Sequence, residues 1–310
     1  MDQFVLIFKS IRVTQWIKNI VIFAPIIFSG FLFVPGYFGK VVWAFALFCL
    51  LSSSIYVFND LVDIKSDRLH PFKKKRPIAS GAVPIELAIF LFLFLGGLSL
   101  WLGLITSTFF FAAMGTYFVM NIFYSLWWKK VPILDVFVIA AGFVLRIYGG
   151  SFVINVHMDV WFLLTVISAS LFLAVGKRRS EMTLLSGEGI ETKGLRSSLV
   201  HYTPELLGAY TSMFANTTWL TYALFSFLHP SFVAEGKVLK LFAILPRTLI
   251  ADKWLMASVP VVIYGVMRYM QLIYEKNEGE SPHKVIMTDG PLLLVVGLWG
   301  VMVITILYFL

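Results

Sequence analysis

Nine apolar stretches of roughly 17–25 residues follow one another along this chain, and nothing else in it restricts the fold so severely. Their approximate limits are 17–34, 41–59, 84–104, 107–127, 132–154, 159–176, 205–228, 254–274 and 290–310. Hydrocarbon offers no hydrogen bonds, so a segment of that length satisfies its backbone by becoming a helix. The expectation is an all-α, polytopic membrane protein of about nine transmembrane helices, forming one domain over 1–310. Only 14% of the 310 residues are charged, against about 25% in soluble domains. The first stretch follows Lys9, Arg12 and Lys18, as in a secretory signal peptide, but it lacks a small-residue cleavage site and reads as an anchor. The single cysteine, Cys49, excludes an internal disulfide.

Nineteen of the twenty-five Lys and Arg fall in one alternating set of connections. These are the N-terminus, 60–83, Lys129-Lys130, 177–204 and 268–289. The opposite set holds five, and Arg146 alone lies inside a span. The positive-inside rule makes the first set cytoplasmic. The net charge of +8 is thus spread over short loops, which leaves no basic domain for nucleic acid. The partly apolar connection 230–252 is expected to lie along the membrane surface. The two long loops 60–83 and 177–204 hint at a duplicated span-loop-span unit.

Chemistry concentrates in Asn59-Asp60-Leu61-Val62-Asp63-Ile64-Lys65-Ser66-Asp67-Arg68. On a helix Asp60, Asp63 and Asp67 stand three and four residues apart and share one face. Carboxylates so close repel one another unless positive charge lies between them. Their oxygens suit Mg²⁺, which takes one or two carboxylates and completes its octahedron with phosphates and water. Lys73, Lys75 and Arg76 would then hold the outer phosphate oxygens. A charged, solvated loop is the plainer alternative, but a loop needs no helical spacing.

The pattern Asn59-Asp60-x-x-Asp63-x-x-x-Asp67, followed by Lys75-Arg76-Pro77-Ile78-Ala79-Ser80-Gly81, resembles the first signature of the UbiA superfamily of intramembrane prenyltransferases. The resemblance implies helices around a cavity that faces the cytoplasm and opens to lipid. It makes Asp60, Asp63 and Asp67 catalytic ligands of a Mg²⁺-diphosphate, with Asn59 beside them. Tyr124 and Lys129 are similar to a Tyr and a Lys that face phosphate in that family. At the end of the sixth span the family usually carries a second acidic motif, whereas this chain has Gly176-Lys177-Arg178-Arg179-Ser180-Glu181. Such a cluster does not bind Mg²⁺, but Lys177, Arg178 and Arg179 suit phosphate itself. The alternative is a topological charge cluster, with Glu181 paired to Lys177 on its own helix. The opening Arg12-x-x-Gln15-Trp16-x-Lys18-Asn19, the 176–181 stretch and His201-Tyr202-Thr203 are similar to a phosphoribosyltransferase branch of the superfamily, which adds Lys18 to the substrate-binding set.

Two charges lie within the fifth span. Asp135 is about one turn in, a costly position that usually marks function. Arg146 is about 16 Å deeper along a helix and therefore cannot pair with Asp135 on its own helix. It reads equally as a substrate contact and as an interhelical bond. The five histidines are scattered, with no pair at metal-ligand spacing.

Charge counting then separates three functions. One acidic motif and one basic cluster suit two anionic substrates. The expected reaction moves 5-phosphoribose from phosphoribosyl diphosphate to an isoprenoid phosphate lipid, with Mg²⁺, at the cytoplasmic side of a bacterial inner membrane. A prenyltransferase acting on an aromatic acceptor such as 4-hydroxybenzoate would share the first motif. A secondary transporter would place its charges near the membrane midplane. The reading leaves room for a homo-oligomer in the bilayer.

Overall fold

A computed structural model of the chain describes residues 3–69, 73–187, 201–229, 253–275, 285 and 287–309. Every regular element among them is helical. Seven helices are long and apolar enough to cross a bilayer: Tyr37–Val62, Ile85–Thr106, Thr108–Leu126, Leu134–Ile154, Val160–Thr183, Trp254–Glu275 and Gly290–Tyr308. Among the described residues the expected count of nine is not confirmed, and two expected spans stand outside this set for different physical reasons.

The first lies at 17–34. Here Val13–Phe23 winds as a 3-10 helix and only Ala24–Phe28 is α-helical. With three residues per turn, side chains three apart fall in line. Trp16, Asn19 and Ile22 therefore form one stripe, in which Asn19 and Ile22 are fully buried. Trp16 Nε1 donates to Ser53 Oγ at 2.9 Å, and Asn19 Nδ2 donates to Cys49 Sγ and Ser52 Oγ at 3.2 Å each. The wider rise of the 3-10 turn carries these 16 residues over about 30 Å, the thickness of the hydrocarbon core.

The second lies at 205–228. The helix Pro204–Leu228 forms as expected but is rich in Thr and Ser. Its hydroxyls turn back on its own carbonyls: Thr211 donates to Leu207 O at 2.6 Å, Thr218 to Phe214 O at 2.6 Å and Thr221 to Thr217 O at 2.7 Å. Internal bonding of this kind makes a polar helix tolerable in lipid.

The chain forms two compact units. In the first, Tyr37–Val62 (α3) is the central element, packed on the 3-10 segment, Ile85–Thr106 (α5), Thr108–Leu126 (α6) and Leu134–Ile154 (α7). Close approach depends on glycine at one point: a Cβ on Gly150 would collide with the carbonyl of Ile22. Phe48, fully buried, lies at edge-to-face angles against Phe110 and Tyr117. In the second unit Phe172, Ala215, Tyr269, Leu272, Ile273 and Leu292 form one buried cluster. Tyr222 ties this unit together, its hydroxyl bonded to Ser258 Oγ at 2.6 Å and accepting from Trp299 Nε1 at 2.8 Å. The connection 230–252 and the late stretch Gly279-Glu280-Ser281-Pro282 lie outside the described residues.

Candidate active site

The acidic stretch does not run as one continuous helix. The helix α3 ends at Val62, Asp63 adopts φ −91° and ψ 3°, and a short helix, α4, covers Ile64–Leu69. Two bonds bridge the break, from Asp63 N to Asn59 O at 3.0 Å and from Asp67 N to Asp63 O at 2.8 Å. The three carboxylates consequently stay close but do not all face one point. Asp60 and Asp67 are buried, while Asp63 at the bend is half-buried.

Their partners arrive from three other segments. Arg76 Nη1 donates to Asp60 Oδ1 at 3.1 Å and to Asp67 Oδ2 at 2.6 Å. Arg12 Nη2 donates to Asp60 Oδ1 at 2.5 Å, and Lys129 Nζ bonds Asp63 Oδ1. The return of Arg76 is built locally. Ile78 and Val83 sink into an apolar cluster with Val57 and Ala88, and Arg68 Nε ties Ala79 O to α4 at 3.0 Å. Gly81, at φ +79°, makes the turn that follows. Arg12 reaches Asp60 from a left-handed backbone (φ 52°, ψ 53°) between Gln3–Ser10 and the 3-10 segment, and its guanidinium lies over the Tyr56 ring.

Among the described residues no three His, Cys, Asp or Glu side chains form a ready metal cluster. The three expected carboxylates are thus not gathered as one set here: Asp60 and Asp67 share Arg76, while the bend turns Asp63 toward Lys129. The pair Asp60 and Asp67 nonetheless fits Mg²⁺. Two hard oxygens already face a single positive group, and that ion needs one or two carboxylates when phosphates and water complete its shell.

The remaining expected residues fall in three places. Asn59 is half-buried on α3, Tyr124 half-buried on α6 and Lys73 half-buried beside the exposed Lys75. Lys18 is half-buried on the 3-10 segment, within electrostatic reach of Arg12 and Arg146 and with no ion pair among the described residues. Arg146, buried in α7, has no carboxylate partner there either. It donates from Nε to Asn19 Oδ1 at 2.6 Å, from Nη1 to Gly142 O at 2.8 Å and from Nη2 to Tyr117 OH at 2.7 Å. The bonds to Asn19 and Tyr117 are interhelical, the one to Gly142 stays within α7, and together they form a structural hub. Asp135, expected to face substrate, is instead fully buried and accepts from Tyr202 OH at 2.9 Å.

The second unit holds the basic cluster. Val160–Gly187 (α8) continues as helix through Lys177, Arg178 and Arg179, beyond the expected end of its span at 176. Arg178, expected to hold phosphate, is fully buried and donates from Nη1 to Glu181 Oε2 at 2.7 Å. Lys177 and Arg179 are half-buried: Lys177 lies 3.7 Å from Glu181, and Arg179 stacks 3.8 Å from the Tyr274 ring centre. Asp289 caps the helix Gly290–Tyr308 by accepting from Leu292 N and binds Arg268 through both oxygens, which makes it structural.

Sequence reasoning passed over Arg12, Asn19, Tyr117 and Tyr202 as site residues. Arg12, Asn19 and Tyr202 do stand in short polar stretches next to apolar runs, which was the available signal.

Residues 22–288 match the model of the UbiA prenyltransferase family. A decaprenyl-phosphate phosphoribosyltransferase of Corynebacterium glutamicum is 29% identical over 304 residues, covering 97% of this chain and 86% of that protein. Its counterpart from Mycolicibacterium smegmatis is 34% identical over 223 residues, 71% of this chain and 69% of that one. In fold the chain is similar to a UbiA homologue from Archaeoglobus fulgidus solved bound to GPP and Mg²⁺, at TM-score 0.69 and 18% identity over 97% of this chain and 99% of that one.

Proposed function

Because the chain belongs to the UbiA prenyltransferase family and is a membrane-embedded transferase, we propose that it moves 5-phosphoribose from phosphoribosyl diphosphate to a polyprenyl phosphate, releasing diphosphate. One observation carries the choice of substrates. The carboxylates gathered for a Mg²⁺-diphosphate all belong to the first acidic motif, and α8 carries cations where a prenyl-diphosphate enzyme would need further metal ligands. The names of the corynebacterial and mycobacterial relatives support the same reaction. The family match runs through both compact units, so we read them as one catalytic domain.

In this reading Asp60 and Asp67 hold Mg²⁺, which when bound neutralises charge on the departing diphosphate. Arg12, Arg76 and Lys129 exchange their carboxylate partners for phosphate oxygens, keeping charge-assisted bonds throughout. Lys177 and Arg179 hold the lipid phosphate. A phosphate oxygen attacks the anomeric carbon opposite the leaving group; the new C–O bond forms as the C–O bond to diphosphate breaks, and its electron pair leaves with the diphosphate. The anomeric centre inverts. The nucleophile is already anionic at neutral pH, so no general base is required. The excess of Lys and Arg in the connections 60–83 and 177–204 supports a cytoplasmic-side site, in this reading at a bacterial inner membrane.

The test is a transfer assay on purified protein with Mg²⁺. Labelled phosphoribosyl diphosphate should pass its label to lipid only when polyprenyl phosphate is present. Transfer of a prenyl group to 4-hydroxybenzoate, with no label entering lipid from phosphoribosyl diphosphate, would overturn the proposal.

A further inference from the structure

Between Lys129 and α7 the backbone takes a conformation that its sequence resists. Ile133 has φ 67° and ψ −50°, and Leu134 N closes onto Pro132 O at 2.7 Å. This is a γ-turn of the rare, strained kind, centred on a β-branched residue. Such a residue persists only where its surroundings over-determine it, and strain held beside reactive groups is a pointer to function.

Beyond the amides of Val136 and Phe137, which donate to its carbonyl, Ile133 meets a phenol from a distant segment. Tyr202 OH accepts from Ile133 N at 2.6 Å and donates to Asp135 Oδ1 at 2.9 Å. Tyr202 is 5% exposed and Asp135 fully buried, so water does not substitute for either bond. One hydroxyl thereby ties the turn's centre to the first turn of α7. The tie extends backwards through backbone bonds, Asp135 N to Val131 O at 3.1 Å and Val131 N to Trp128 O at 3.0 Å. These reach the 3-10 turn Trp128–Lys130, which delivers Lys129 to Asp63.

We propose that Tyr202 is a positioning residue, whose hydroxyl holds the strained Ile133 turn so that Lys129 stays at the acidic face. The inference rests on the reading that this face binds a Mg²⁺-diphosphate. Asp135 then acts through Tyr202 rather than on substrate.

The test measures binding of inorganic diphosphate in the presence of Mg²⁺ by calorimetry, on the full-length protein in detergent. This readout does not depend on which acceptor the enzyme uses. K129Q should weaken binding about tenfold, the loss of one charge-assisted bond. Y202F should weaken it about as much, yet add less than about twofold on the K129Q background, because both changes remove the same contact. I133G should return Y202F to within about threefold of the unaltered protein, since glycine adopts positive φ without strain. Multiplicative losses in the double variant, or no rescue by I133G, would overturn the inference. If K129Q weakens binding and Y202F does not, the inference falls while the reading of the acidic face stands. If K129Q binds as the unaltered protein does, both fall. Should Y202F fail to fold, the comparison is read on Y202F/I133G, where a tenfold loss counts against the proposal and near-normal binding for it.

Discussion

Asp60 and Asp63 draw their partners from across the first unit, with Arg12 lying 48 positions from Asp60 and Lys129 lying 66 from Asp63. Lys177 and Arg178, in the second unit, both reach Glu181 on their own helix, four and three residues on. Pairs of the second kind form on any helix with that spacing and contribute a few tenths of a kcal/mol when exposed. Pairs of the first kind need the tertiary fold. They bring three cations onto three carboxylates, two of them buried, and leaving either side unmatched would be strongly unfavourable. The fold therefore constructs the acidic face, whereas it largely accommodates the basic cluster. Arg179 departs from that contrast, since it stacks on Tyr274 from a separate helix. It is the half-buried member of the cluster that another helix holds in place.

The contrast breaks most visibly at the carboxylates. D60N and D67N should each lower turnover at least about a hundredfold, beyond the usual loss from removing a metal's outer-shell support. Stripping Mg²⁺ with EDTA should abolish activity reversibly. Near-normal rates in either variant, with Mg²⁺ present, would remove the acidic face from the chemistry.

R76A sharpens the contrast through stability. It leaves Asp60 and Asp67 facing one another, and breaking a buried pair costs about 3–5 kcal/mol. Arg76 is itself 27% exposed, which puts the expected loss at the lower end. Added Mg²⁺ should recover part of the lost Tm, because it supplies the missing charge between the same oxygens. A Tm that falls and ignores Mg²⁺ would mean that the two carboxylates do not share a cation site.

The smallest effects belong to the basic cluster. R179Q should raise KM for polyprenyl phosphate about tenfold with kcat unchanged, as expected for one charge-assisted bond. K177Q should raise the same KM by less, since a more exposed cation is better screened. Silence at both positions would return the cluster to a topological role.

Much of this was legible from residue patterns. The apolar runs of α5, α6 and α7 leave helices as the only solution in lipid, and the spacing of the three aspartates announces a charged face. The polarity of Pro204–Leu228 misleads only when hydroxyls are taken as exposed, and here Thr218 and Thr221 consume theirs on the preceding turn. The bend at Asp63 has no local signature. Neither has the reach of Arg12, which depends on a left-handed backbone and on a partner 48 residues away. Asp135 shows the reverse situation. A carboxylate one turn inside a span reads as substrate-facing, and in the fold it is fully buried and bonded to a phenol 67 positions away.

The hub at Arg146 has a consequence for how the chain is made. About 18 Å along α7 from Leu134, an arginine adds about 2.5–3.5 kcal/mol to the insertion of its helix. The remainder of α7 is apolar enough to offset that. Its acceptors Asn19, Tyr117 and Gly142 all precede it in the chain, so they leave the ribosome first. Asn19 has interim partners in Cys49 and Ser52, which also precede Arg146. The arginine, the costliest group of this hub, therefore never waits in lipid for a residue that has yet to be translated.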